Sequence, residues 1–347
     1  MSIKKKVTLL IAGVFIFATL FSFGGVTAQD GGDIGSADNP IQVYFVPSLE
    51  AQVIIDGGEV MAAALNAATG LEFEVYVATS YAATVEAMCA APDVAMGFIP
   101  PAGYVVANNR CDVQVAAAAV RFGWPVYWAE YIVRRDSDIY TFGDLEGRTW
   151  GYGDPTSTSG FIVPSVELAA AGITPGDRIE TGGHNQTVLA VYNGEVDFGT
   201  TFFSPALVPG AAWSVGDLPE PYDLTVDSSR IDAESGNLFV GQVRVLDARQ
   251  AVRDVAPDVV DQVRILRISA PIPNDTLSFG PDFPQDLADQ IVQALIDFSA
   301  TEEWNNSIGD QDFYGWTTLE PVDDSAFDPI RLQMEILGQT DEEILGD

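Results

Sequence analysis

From Ile41 onward the chain repeats one local pattern, a short apolar strand followed by a helix, and this alternation restricts the fold more than any other feature. Ile41–Val46 reads as a strand, Ala51–Thr69 as a helix, Phe73–Ala78 as a strand and Tyr81–Ala90 as a helix. Val94–Ile99 and Val113–Val120 are further strands around a short helical piece beginning near Ala102. Strands that alternate with helices require a largely parallel sheet covered on both faces. Ligands of such sheets bind beyond the carboxyl ends of the strands, among the connecting loops.

A second unit of the same kind follows Tyr127–Arg134, with Arg148–Tyr152 as a strand, Ser159–Ala171 as a helix closed by Gly172, Thr187–Asn193 as a helix and Val196–Thr201 as a strand. Pro205–Asn237 is rich in Pro, Gly, Asp and Ser without a sustained period, and reads as a long surface insertion. Ala248–Val255 and Pro257–Val263 look helical and Val263–Ile268 extended, after which the pattern returns to helices. Leu287, Ile291, Leu295 and Phe298 form one apolar stripe suited to core packing. Trp124, Tyr127, Trp128 and Tyr131 form an aromatic group expected to pack at a hinge or in a core.

The chain starts with Met1, Ser2, Ile3 and three lysines, then an apolar run from Val7 to Phe23, and Val26, Thr27 and Ala28 place small residues where a signal peptidase cuts. Residues 1–28 are therefore expected to be a signal peptide of an exported protein, periplasmic or extracellular. Lys4, Lys5 and Lys6 are the only lysines, so the mature chain carries thirteen basic residues, all arginine, against fifty acidic ones. Such a surface repels nucleic acid and anionic lipid, which excludes both as partners. A mature chain of this length exceeds what one core usually serves, so two lobes are expected. Cys89 and Cys111 are the whole cysteine inventory. In an oxidising compartment an isolated pair is expected to form a disulfide rather than a metal site, with two buried thiols as the alternative.

Asp154-Pro155-Thr156-Ser157-Thr158-Ser159-Gly160 lies between a strand and a helix and supplies four consecutive hydroxyls. Free N–H groups and the helix dipole at such a place attract an anion, and hydroxyls add neutral donors. An ordinary helix cap needs one of these hydroxyls, not four. The loop lacks both the spacing and the lysine of a nucleotide-binding P-loop. His184, the only histidine, opens a helix after Gly182 and Gly183 and is a candidate donor to the same anion. No metal-ligating cluster and no hydrolase motif is present, so no metal, cofactor or catalytic residue is expected.

These residues resemble a known family, the PhnD-like periplasmic binding component of phosphonate, phosphite and phosphate ABC transporters. The resemblance rests on Ser80-Tyr81 before Glu86-Ala87-Met88, Gly153–Gly160 with Pro164, Gly183-His184, Asn193-Gly194-Glu195-Val196-Asp197, Pro271-Ile272-Pro273-Asn274-Asp275, and the tail from Val322 to Arg331. It implies an α/β, two-lobe type II periplasmic-binding fold, each lobe a mixed sheet flanked by helices, joined by two crossover strands. Residues 41–127 plus 272–347 would make one lobe and 128–271 the other, with the insertion at about 205–237. Thr156, Ser157, Thr158 and Ser159 would bind the oxyanion with His184, Tyr81 and Tyr104 would face them, and Asp275 would contact the head group or a protonated oxygen. The implied partners are a small oxyanion and a membrane permease, with the chain itself a monomer. Thr200–Ser204 holds no acid where aminoalkylphosphonate binders of this kind carry one, which argues for a smaller or more apolar ligand. A sulfonate or thiamine-precursor binder, an exported hydrolase and a receptor-coupled sensor are the alternative readings.

Overall fold

The structure, a computed structural model, describes residues 32–310, 313–338 and 340. The expected signal peptide lies outside the described residues. The first unit runs β1 (Ile41–Phe45), α1 (Ala51–Thr69), β2 (Phe73–Val77), α2 (Tyr81–Ala90), β3 (Ala95–Ile99), α3 (Pro101–Cys111) and β4 (Gln114–Arg121). β1 and β2 are parallel, as are β1 and β3. All five residues of β3 are buried, which is why that segment reads as a continuous apolar run without alternation. α1 stops at Gly70, whose φ of 74° is open to glycine and costly for other residues.

Residues 122–125 carry the chain across to β5 (Val126–Arg134). The second unit continues with β6 (Trp150–Tyr152), α4 (Val163–Ala170), β7 (Arg178–Glu180), α5 (His184–Asn193) and β8 (Phe198–Phe203). A small antiparallel sheet of β9 (Ser229–Ile231), β10 (Leu238–Val240) and β11 (Val243–Arg244) follows, then α6 (Val259–Gln262) and β12 (Val263–Ile268). β13 (Ile272–Pro273) pairs with the start of β5, and Asn274 and Asp275 carry the chain back to β14 (Thr276–Phe279), α7 (Gln285–Phe298), β15 (Trp316–Pro321) and α8 (Asp328–Leu337).

Two mixed sheets result, ordered β15-β4-β14-β3-β1-β2 and β12-β5-β8-β6-β7, with β13 beside β5. The fold is a two-lobe α/β arrangement, as the resemblance implies. Asn274 ties its two crossings together, since its side-chain amide donates to the Ala119 carbonyl at 2.8 Å and to the Trp124 carbonyl at 2.7 Å. The α7 stripe does pack into the first core, with Ile291 and Leu295 fully buried. Cys89 of α2 and Cys111 of α3 are disulfide-bonded, clamping two helices that flank the first sheet.

Three sequence expectations need correction or refinement. The region beyond Pro271 is not helical throughout, because β14 and β15 return to the first sheet as antiparallel strands on either side of β4. The helix expected over residues 248–255 is a short 3-10 helix that ends at Val252. Segment 205–237 lies on the surface over most of its length, as expected, but it is pinned rather than free. Trp213 is buried against Trp124 and Trp128, and Glu220 reaches Arg249, a guanidinium with no exposed surface that also bonds Asp247 at 2.9 Å. Two anchors suffice to pin a segment whose average composition is that of a loop.

Candidate functional site

Between the two sheets lies a cavity of about 40 Å³, and four helix starts point at it. Tyr81 opens α2, Pro100 precedes α3, Ser157 caps the π-helical turn Thr158–Ile162 that leads into α4, and His184 opens α5. Each start carries partial positive charge. A chain with so few basic residues thereby gathers an electropositive centre without lysine.

The second sheet supplies the donors. Ser157 Oγ accepts from the Gly160 N–H at 3.1 Å, which fixes the turn and aims Ser157 and Ser159 into the cavity. Glycine at 160 leaves this cap undisturbed, because a Cβ there would stand 2.8 Å from Ser157 Oγ and turn it away. Gly153 has the same role one step earlier, since its Cβ would meet the Gly183 backbone at 3.0 Å and push α5 away. His184 is buried with its Nδ1 unpartnered, and Phe202 meets its ring edge-on at 5.2 Å. Burial, reinforced by the nearby Arg121 charge, lowers its pKa to about 4, so it is neutral at pH 7 and carries a single N–H.

The first sheet and the crossings supply a cation and a carboxyl. Arg121 ends β4 with its guanidinium 5.1 Å from the centre of the Phe202 ring and its Nε buried without a hydrogen-bond partner. Burial lowers its pKa, while Asp275, Tyr127 and Tyr314 raise it. Burial raises the pKa of Asp275, and Arg121 opposes that shift. Tyr127 lies against the Ser159 and Thr158 hydroxyls, and burial followed by the Asp275 charge raises its pKa. Ser48, Leu49, Phe313 and Tyr314 close the remaining wall. A second compartment of about 120 Å³ adjoins this one, shares Tyr81, Ser157 and His184 with it, and brings in Ser80, Asp154 and Glu180.

Of the residues singled out in the sequence, Tyr81, Ser157, Ser159, His184 and Asp275 line the cavity. Tyr104, Thr156 and Thr158 do not. Tyr104 sits one turn into α3 on the face toward the C-terminal segment, where its hydroxyl donates to Asp324 at 2.6 Å and its ring packs on Phe327. Thr156 is turned onto Asp154, to which its backbone N–H donates at 2.7 Å. Thr158 points to the other sheet, where its Oγ1 accepts from the Ala102 N–H at 2.9 Å. Arg121, Ser48 and Tyr314 were missed, and Tyr127 was read as packing. A cation closing an apolar strand at its carboxyl end was the one available signal for Arg121.

The low pKa of His184 has a consequence for stability. Its value falls from about 6.5 in the unfolded chain to about 4 in the fold, so between these values the unfolded chain binds the extra proton. The neutral imidazole's share of stability is complete above pH 6.5 and is lost as pH falls through 4, a change of roughly 3 kcal/mol. Denaturant unfolding at pH 7 and pH 4 is expected to show a smaller loss in His184→Gln than in wild type. Equal losses in the two proteins contradict the burial of a neutral imidazole.

A family profile described as the periplasmic substrate-binding protein of phosphonate ABC transporters matches residues 43–327. The phosphate-import protein PhnD of Mycolicibacterium smegmatis is 30% identical over 216 residues, which cover 58% of this chain and 63% of that one. The phosphonates-binding periplasmic protein of Escherichia coli is 34% identical over 139 residues, 38% of this chain and 41% of that one. The chain thus spans less than two thirds of either curated relative. Among solved structures, a binding protein component of an ABC phosphonate transporter from Pseudomonas aeruginosa superposes with a TM-score of 0.64 at 19% identity, over 88% of this chain and 89% of that one. PhnD1 from Prochlorococcus marinus in complex with methylphosphonate gives 0.65 at 13% identity, over 86% of this chain and 98% of that one. These two likenesses show the fold.

Proposed function

The chain belongs to the periplasmic substrate-binding proteins of phosphonate ABC transporters, and from this premise we propose that it captures one small phosphorus oxyanion per chain and passes it, unchanged, to a membrane permease. Arg121 carries the reading: a half-buried cation whose Nε is buried without a hydrogen-bond partner, facing a small cavity ringed by helix starts and hydroxyls, is completed by an anion. A buried donor without an acceptor is costly, and a bound oxyanion offsets that cost. Ser157, Ser159, His184 and the tyrosines donate to the oxygens, and Asp275 accepts from a protonated one. The protein acts as an exported monomer and does no chemistry on its ligand.

Size and charge narrow the ligand. A single buried water needs roughly 10–15 Å³, so a cavity of about 40 Å³ suits a compact tetrahedral head. The adjoining compartment receives a short substituent and, with Asp154 and Glu180 in its wall, repels one that is negatively charged. Titration calorimetry is expected to give tight binding of methylphosphonate and at least about a hundredfold weaker binding of phosphonoacetate, whose carboxylate would sit beside those acids. Comparable affinities overturn the placement of the substituent. Failure to bind methylphosphonate, phosphite or phosphate overturns the function.

A further inference from the structure

We propose that Thr158 is a closure latch rather than a ligand contact: its hydroxyl caps a helix of the opposite sheet across the cleft and thereby holds the clamp shut over the bound anion. This rests on the clamp reading above and adds a residue that acts on how long the ligand stays.

The start of α3 is built without a cap of its own. Its N-cap residue is Pro100, which offers no side-chain acceptor, and Pro101 at the first helical position has no N–H. The first N–H of the helix is therefore that of Ala102, which is fully buried. α2 of the same sheet solves this problem locally, with Ser80 Oγ accepting from Ala83 N at 3.0 Å. α3 instead borrows its acceptor from 56 residues away, the fully buried Thr158 Oγ1 at 2.9 Å. α3 stands between β3 and β4 of the first sheet, whereas Thr158 stands between β6 and α4 of the second. The bond therefore exists only while the two halves are closed, and opening them exposes both groups to water. The same loop reaches the neighbouring helix as well, because the Asp154 carboxyl lies against the Tyr81 backbone N–H. Ser157 and Ser159, on either side of Thr158, line the cavity. One loop thus contacts the ligand and the opposing half with alternate hydroxyls.

A bond made only in the closed state slows opening without affecting encounter. Thr158→Val keeps the shape and leaves Ala102 without an acceptor. Methylphosphonate dissociation, followed by stopped-flow tryptophan fluorescence, is expected to be about tenfold faster in Thr158→Val, with association unchanged. Thr158→Ser is expected to restore the rate to within about threefold. The affinity ratios among methylphosphonate, phosphite and phosphate are expected to stay at their wild-type values, because the hydroxyl meets Ala102 and Tyr127 rather than the ligand, and Ser159 still holds Tyr127 in place. An unchanged dissociation rate, or altered ratios, overturns the latch. If wild type binds none of these anions, the function falls, and the latch is judged separately by hydrogen exchange of the Ala102 amide without ligand. Slower exchange in wild type than in Thr158→Val supports it, and equal exchange overturns it.

Discussion

Arg121→Met is expected to weaken methylphosphonate binding by at least about a hundredfold while leaving the fold intact. Methionine keeps an unbranched side chain against Phe202, so the cavity wall persists, but the cation that faces the anion is gone. Removing one partner of a buried charge pair typically costs about 2–5 kcal/mol, and a hundredfold corresponds to about 2.7 kcal/mol. The loss is enlarged by Asp275, a carboxyl whose upward push by burial is opposed by Arg121. Titration calorimetry measures the effect and circular dichroism checks the fold. Binding within about threefold of wild type in a folded variant would place the anion elsewhere.

Asp275→Asn is expected to change which anion is bound. An ionised carboxylate only accepts hydrogen bonds, so it welcomes a protonated phosphonate or phosphate oxygen and repels sulfate, which carries no proton at neutral pH. Rejection through a buried like charge costs several kcal/mol, enough for roughly thousandfold discrimination against sulfate in wild type. Asparagine removes the repulsion and adds a donor, so the variant loses phosphonate affinity and gains sulfate affinity. Competition calorimetry reads both. Wild type that binds sulfate and methylphosphonate equally refutes the role of Asp275 and revives a sulfur oxyanion as ligand.

The strand–helix alternation was legible because β3, buried throughout, is apolar throughout and β1 alternates buried with half-buried residues, and β1 to β3 with their helices fall within a residue or so of their expected spans. β14 and β15 were not. Thr276–Phe279 has only four residues and Trp316–Pro321 alternates weakly, and both owe their extended form to β4, whose partners lie more than a hundred residues away. The site divides along the same line. Ser157, Ser159 and His184 were legible because helix starts bind anions by local geometry. Arg121, Tyr314 and Ser48 meet only through tertiary structure, and a strand-end arginine is ordinary in sequence. Thr158 shows a further limit: a run of hydroxyls gives the chemistry, but the π-helical turn decides which of them faces the ligand and which faces the other half.

The central claim is that one phosphorus oxyanion is held between the two sheets by Arg121 and the Ser157–Ser159 turn. A crystal structure of the mature protein with methylphosphonate tests it most directly. One ligand per chain is expected in the cavity, its oxygens within hydrogen-bond reach of Arg121, Ser157 and Ser159, and Thr158 still bonded to Ala102. A ligand bound outside the cavity, or an oxyanion in the cavity with Arg121 turned away from it, would contradict it.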